Sequence, residues 1–210
     1  MTDLYTFFTF VSSAYLLGSI SFAIVVSKFR GLKDPRYFGS GNPGATNVFR
    51  SGDRVAGFLT FTGDAFKGWV VVVGSEQILR LYFETTLDSG GNTLVAFCSI
   101  FVLLGHIYPV FHNFKGGKGV ATAFGIFYGG LLELGFLATL IWVFTFLATK
   151  ISGLSAIITS LAVFMISIYF MFANEQEYFT LHFLHALIAT ILLLRHSSNV
   201  VDLFENHLKR

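Results

Sequence analysis

Charge is scarce in this chain: only 12 % of its 210 residues are Asp, Glu, Lys or Arg, against 54 % hydrophobic. With a mean hydropathy of +0.69, so little charge excludes an ordinary soluble domain and makes lipid the expected solvent. A backbone crossing lipid must pair its own polar groups, which leaves helices or closed barrels. Strand-period alternation is absent, so an all-α integral membrane protein is predicted. The single cysteine, Cys98, excludes an intrachain disulfide and reads as packing within an apolar run. The first five residues carry no Lys or Arg, so the basic region of a cleavable signal peptide is missing and the first apolar stretch is expected to be retained. No linker, repeat or low-complexity tract interrupts residues 1–210, which read as a single domain.

Familiar chemical signatures are missing too. FKGGKGV is not a nucleotide-binding loop, because Lys118 precedes Gly119 rather than Ser or Thr and His112 stands where the first glycine belongs. No histidine has an aspartate five residues on, so the HxxxxD arrangement of many glycerolipid acyltransferases is absent. There is no G-x-S-x-G elbow and no metal-ligand spacing. No metal, cofactor or nucleic-acid partner is expected. His182, His185 and His207 read as interfacial residues, and His106 as a structural hydrogen-bonder.

What is present is a series of apolar stretches near 5–27, 55–75, 92–111, 120–132, 135–149, 154–173 and 179–195, which predicts a bundle of about seven transmembrane helices. The fourth is short and rich in glycine (Gly125, Gly129, Gly130), as a tilted, broken or re-entrant segment is. Lys28, Arg30, Lys33, Arg36, Arg50 and Arg54 lie between the first two stretches, and Lys115, Lys118, Lys150, Arg195, Lys209 and Arg210 lie in alternate connections downstream. The opposite connections carry Glu76, Glu84, Asp88, Glu133, Glu175 and Glu177, with Arg80 the one basic residue there. The positive-inside rule then puts the N-terminus outside and the C-terminus in the cytoplasm.

Four polar islands fall on the cytoplasmic side. The first is DPRYFGSGNPGATNVFR, 34–50; the second, GHIYPVFHNFKGGKGVAT, 105–122; the third, ISGLS, 151–155; the fourth, RHSSN, 195–199. Loops dense in Gly, Ser and Asn offer backbone N–H groups that cradle anions. Glycines at 116, 117 and 119 let backbone approach a ligand closely, while Lys115 and Lys118 supply charge. A plain turn is the bland alternative for each loop, but two long ones with basic residues on one face favour phosphate binding. Arg195 and His196 taken alone favour an interfacial anchor. Asp64 and Lys67, spaced i to i+3 within an apolar stretch, are either a structural ion pair or part of a site.

Together these islands, with GSIS at 18–21, resemble the PlsY family of bacterial acyl-phosphate:glycerol-3-phosphate acyltransferases. The matching segments are DPRxxGSGNPGATNVxR, GHxxPVFxxFKGGKGVAT and RHxxN, in order over nearly the whole chain. The resemblance implies a seven-helix bundle in the bacterial cytoplasmic (inner) membrane, with the motif loops converging on a cytoplasmic site. It also implies acyl phosphate and glycerol-3-phosphate as substrates, lysophosphatidic acid and phosphate as products, and no coenzyme A or acyl carrier protein. A functional link to an enzyme that makes acyl phosphate follows from the same likeness.

Carried over position by position, Ser40, Arg50, Lys118, His196 and Asn199 are the expected catalytic residues. Gly39, Gly41, Asn42, Thr46, Asn47, Lys67, Lys115, Gly116, Gly117, Gly119 and Ser152 are expected to bind substrate. Two departures stand out. Where relatives read SSLG this chain has SGLS, with Gly153 for the second serine, so Ser152 and Ser155 compete for its role. Where relatives often carry a glutamate twelve positions after the motif histidine, Leu208 stands here, and Glu205 is the nearest acid.

Both substrates are phosphate anions, so Arg50 and Lys118, with Lys67 or Lys115 and the glycine-loop N–H groups, are suited to offset their repulsion. Acyl phosphate is already activated, so direct attack by the glycerol hydroxyl needs mainly orientation. Either His196 accepts the hydroxyl proton or the donor phosphate does, with His196 and Asn199 holding the acceptor. A Ser40 acyl-enzyme is the less favoured route. A transporter would instead place polar groups near the bilayer midplane on broken helices with repeat symmetry.

Overall fold

The computed structural model describes residues 4–83, 89–173 and 179–199. Glu84, Asp88, Glu175, Glu177, Glu205, His207, Leu208, Lys209 and Arg210 lie outside them. Among the described residues the regular elements are all helical. They form two compact units, Met1–Leu131 and Leu132–Arg210.

The first unit contains α1 (Leu4–Gly18), α2 (Phe22–Phe29), α3 (Ala45–Phe49), α4 (Arg54–Phe83), α5 (Ser89–Ile107) and α6 (Val120–Gly130). Its main packing pairs are α1 with α5 and α4 with α6. Small residues set both. A Cβ on Gly18 would collide with the Val102 carbonyl, and one on Gly105 with the Tyr15 carbonyl. Likewise, a Cβ on Gly68 would strike Thr122 O, and one on Gly125 would strike Ala65 O. In lipid, where apolar side chains gain little by leaving the solvent, such close backbone approach is a principal source of helix association.

The chain breaks between α1 and α2, which meet at 43°. Ser19 bridges the break: its Oγ donates to Tyr15 O at 2.9 Å and accepts from Val110 N at 3.3 Å. Tyr15 Oη donates to Tyr108 O at 2.7 Å, a second tie to the segment after α5. The short α3 is seated by Val48, wholly buried with Ala23 of α2 and Ala56 of α4. Asp53 begins α4, its Oδ1 accepting from Ala56 N at 2.9 Å and its Oδ2 from Arg30 Nε at 2.9 Å, a side-chain cap on otherwise unpaired first-turn donors.

The second unit comprises α7 (Leu132–Thr149), α8 (Ser152–Ala173) and α9 (Phe179–Arg195), with α8 packed on both others. Lys150, at φ 58°, makes the tight connection from α7 to α8. His182 and His185 are 5 % and 0 % exposed, which corrects the interfacial reading: they lie on α9, and the His182 ring stacks on Phe170 of α8 at 5.4 Å.

Among the described residues four helices are long and apolar enough to cross a membrane, five if the bent α1–α2 pair is one span. The 11-residue Val120–Gly130 and the 17-residue Phe179–Arg195 are apolar but shorter. At 1.5 Å per residue α6 is about 16 Å long, roughly half the hydrocarbon thickness.

Candidate functional site

The first polar island is built around one buried amide. Asn47 is 2 % exposed. Its Nδ2 donates to Pro35 O at 2.7 Å and Phe38 O at 3.0 Å, and its Oδ1 accepts from Ser40 N at 3.0 Å. Gly39, at φ +59°, passes so close that a Cβ there would strike Asn47 Oδ1. Both Asn47 donors are therefore committed to the loop. Gly41 N donates to Phe38 O at 3.0 Å.

The loop is also stapled at its start. The Asp34 carboxylate accepts from Arg36 N at 2.9 Å and from the Arg36 guanidinium through Nε and Nη2, the latter at 2.7 Å. That guanidinium hydrogen bond holds the Asp34 carboxyl below the usual aspartate range and raises Arg36. Nothing in the spacing of the sequence singled out this pair. With Asp34 and Asn47 holding the turn, Ser40, Thr46 and Arg50 are exposed and Asn42 is half-buried. Among the described residues Arg50 has no ion-pair partner, and its Cδ lies 3.4 Å from where a Gly39 Cβ would stand. A cation without a protein counter-charge beside an exposed hydroxyl is suited to an incoming anion.

The second island folds back onto the end of α5. Gly116 N donates to Ile107 O at 3.2 Å, Gly117 N to His106 O at 3.1 Å and Phe114 N to Pro109 O at 2.9 Å. A Cβ on Gly116 would meet His106 O, and one on Gly117 would meet His106 Nε2 while standing 3.0 Å from Pro43 O. The glycines at 116 and 117 are required by protein neighbours, and their N–H groups donate to the carbonyls at the end of α5. The Gly117–Pro43 approach brings the first two islands into contact. Lys115 is exposed and Lys118 half-buried. Gly119, at φ +91°, turns the chain into α6.

Beneath the second loop lies a buried ionic group. The side chains of Asp64 and Lys67 are each 1 % exposed, with Lys67 Nζ 2.8 Å from Asp64 Oδ1. The same ammonium donates to Gly18 O at 2.9 Å and Ile20 O at 2.8 Å, so its three protons all have protein acceptors. Lys67 is thus a structural cation here, satisfying carbonyls freed where α1 ends. His106 Nδ1 lies 3.4 Å from the same Asp64 oxygen, a proximity no sequence pattern announced.

In the second unit, Ser152 opens α8 half-buried, whereas Ser155 is buried and donates to Ile151 O at 3.0 Å. The Ser155 hydroxyl is thereby committed to its own helix, and Ser152 is the better placed of the two for a site at the helix start. A Cβ on Gly153 would stand 2.6 Å from Asn199 Nδ2, so the third and fourth islands are neighbours. His196 is 3 % exposed, with Nδ1 2.8 Å from Leu192 O. A carbonyl has no proton to give, so Nδ1 carries the hydrogen, and in the neutral ring Nε2 holds the lone pair. Among the described residues no group of three or more His, Cys, Asp or Glu is arranged to hold a metal ion.

The family model described as glycerol-3-phosphate acyltransferase matches residues 8–206. The glycerol-3-phosphate acyltransferase of Nitrosomonas eutropha is 46 % identical over 92 % of this chain and 91 % of its own length. That of Chromobacterium violaceum is 43 % identical, covering 94 % and 91 %. Crystal structures of PlsY, an integral membrane glycerol 3-phosphate acyltransferase, are similar throughout: the glycerol 3-phosphate form has a TM-score of 0.78 at 31 % identity, covering 96 % of this chain and 93 % of that one. The lysophosphatidic acid form has a TM-score of 0.79 at 30 % identity, with the same coverage. Helical architecture and sequence thus agree over nearly the entire length, and the chain belongs to the PlsY family of integral membrane glycerol-3-phosphate acyltransferases.

Proposed function

We propose that the two units act as one acyltransferase domain, which moves the acyl group of acyl phosphate to the 1-hydroxyl of sn-glycerol 3-phosphate and releases lysophosphatidic acid and phosphate. This is the first acylation of phospholipid synthesis, at the cytoplasmic face of a bacterial inner membrane. Seven spans, with the N-terminus outside and the C-terminus inside, belong to the same reading and rest on the positive-inside distribution.

The observation that carries it is the contact of the two glycine loops at Pro43 and Gly117. It gathers the loops bearing Ser40, Arg50, Lys115 and Lys118 at one end of the first unit. Two phosphate-bearing substrates repel each other, and cations around a partly desolvated site offset that repulsion. Arg50 and Lys118 are assigned to the phosphates, and Ser40 to a hydrogen bond with the reacting group. Gly39, Gly41, Asn42, Thr46, Lys115 and Gly119 line the anion-binding loops, while Ser152 and Asn199 hydrogen-bond glycerol phosphate.

In the chemical step the C1 hydroxyl oxygen attacks the acyl carbonyl carbon. The bond from that carbon to the phosphate oxygen breaks, and phosphate departs with both bonding electrons. His196 Nε2 receives the hydrogen bond of the attacking hydroxyl, whose proton passes to that nitrogen or to the departing phosphate, a role its Nδ1–H contact with Leu192 O supports. The acyl chain stays among apolar helices and membrane lipid. No cofactor enters, and a separate enzyme must supply the activated acyl phosphate.

The test follows phosphate release from acyl phosphate by protein in lipid, with and without glycerol-3-phosphate, for wild type and His196→Ala. Release that needs both substrates, matches lysophosphatidate formed and disappears in the variant is expected. Use of acyl-coenzyme A instead, or a trapped acyl-serine at Ser40, would overturn the donor or the direct attack respectively.

A further inference from the structure

The buried Asp64, Lys67 and His106 take no part in the chemistry assigned above. Ionisable groups within membrane helices are costly to bury, and those retained there commonly serve function. We infer that His106, backed by Asp64, is a positioning residue: it holds the glycine loop of the second island and thereby sets where Lys115 and Lys118 stand. The inference deepens the proposed acyl transfer and rests on it.

The geometry supplies each link. Lys67 is fixed by Gly18 O and Ile20 O at the α1–α2 break and in turn fixes the Asp64 carboxylate at 2.8 Å. Asp64 Oδ1 faces His106 Nδ1 at 3.4 Å, which orients the ring at the end of α5. The opposite ring edge, Nε2, lies against Gly117 where a Cβ has no room. The His106 carbonyl meanwhile accepts from Gly117 N at 3.1 Å, and the next carbonyl, Ile107 O, accepts from Gly116 N at 3.2 Å. Ring and carbonyl of His106 therefore grip Gly117, and the adjoining Ile107 carbonyl grips Gly116. These glycines sit between Lys115 and Lys118, so any shift of the ring moves both ammonium groups.

The break itself joins the same hold. Ser19 Oγ accepts from Val110 N and Tyr15 Oη donates to Tyr108 O, so Ser19 of the GSIS segment and Tyr15 at the end of α1 brace the start of the loop, while Lys67 ties the break itself to Asp64. This gives a physical reason for a helix break at a place where it exposes carbonyls within the membrane: the carbonyls anchor the cation that anchors the carboxylate.

The experiment is a cycle of His106→Ala, Gly117→Ala and the double variant, reconstituted in lipid, with KM and kcat measured separately for each phosphate substrate. Each single change is expected to lower kcat/KM for at least one substrate by about a hundredfold, the scale of a misplacement near 1 Å. The double variant should lose about the same hundredfold rather than the product of the two, because removing the ring makes room for the new methyl. Losses that multiply, or a His106→Ala protein whose KM and kcat match wild type once the folded fraction is counted, would overturn the inference. His106→Asn replaces His106→Ala if the latter does not fold.

Amide hydrogen exchange gives a readout independent of turnover. Faster exchange at 114–119 in the His106 variant, with α6 still protected, supports the hold; unchanged exchange overturns it. The same exchange difference between variant and wild type, found with a wild type that transfers no acyl group, would count against the proposed function and not against the positioning role.

Discussion

Replacing Lys67 with Met is expected to destabilise the first unit severely, and the size of the effect follows from its contacts. Met matches the stem of lysine but offers no proton to Asp64, Gly18 O or Ile20 O. Removing one partner of a buried pair costs about 3–5 kcal/mol, chiefly because the other charge stays buried. Each orphaned carbonyl adds up to about 1–3 kcal/mol where water does not reach it. A loss of about 4 kcal/mol is a conservative expectation, corresponding to a fall in melting temperature on the order of 10 °C for a chain of this size. The native reporter is Cys98, the one cysteine of the chain and 1 % exposed, whose thiol reacts with a fluorogenic maleimide only as the bundle opens. Asp64→Asn in the same molecule should recover about 2 kcal/mol, because the uncompensated charge is then gone. A Lys67→Met protein that melts within about 2 °C of wild type, or a double variant less stable than the single one, would refute the reasoning.

Other consequences are equally open to measurement. Asn47→Asp keeps an acceptor for Ser40 N but sets an oxygen against Pro35 O and Phe38 O; turnover should fall at least about tenfold, on the basis of two buried acceptors losing their donors, with faster amide exchange across 34–50. Gly153→Ser, although it installs the serine that the family resemblance leads one to expect, places a Cβ 2.6 Å from Asn199 Nδ2; activity should fall toward that of Asn199→Ala, and a gain in activity would contradict the packing. Asp34 has a depressed pKa because of its Arg36 hydrogen bond, so its contribution is fully present above the ordinary aspartate value and lost as pH falls through the lower folded value. Amide protection at 36–38 should therefore hold from neutral pH to about pH 4 and fail below, and Asp34→Asn should weaken it at every pH.

The helical class, the membrane setting and the four islands were legible in the sequence because each is written locally. Apolar stretches of spanning length, too few charges for a soluble surface and the DPR, KGGKG and RHxxN segments need no knowledge of what they touch. The shortness of α6 was likewise visible in Gly125, Gly129 and Gly130, since span length is counted along one chain. Partnerships across the bundle were not legible. Asn47 and Arg50 share a loop and are both polar, yet the fold buries the first against Pro35, Phe38 and Ser40 and leaves the second exposed. Gly117 reads as freedom for a ligand, but the space it leaves is filled by His106 Nε2. Lys67 reads as either a site residue or half of an ion pair, and only the break at Gly18–Ile20, 47 to 49 residues away, supplies the acceptors that decide it. His182 and His185 read as interfacial by position near a span end and become interior through the packing of α9 on α8. Residue type and spacing determine which groups a segment can offer. Which of those offers the protein itself takes up, and which remain for a substrate, is set by contacts between segments distant in sequence, and these exist only once the helices have packed.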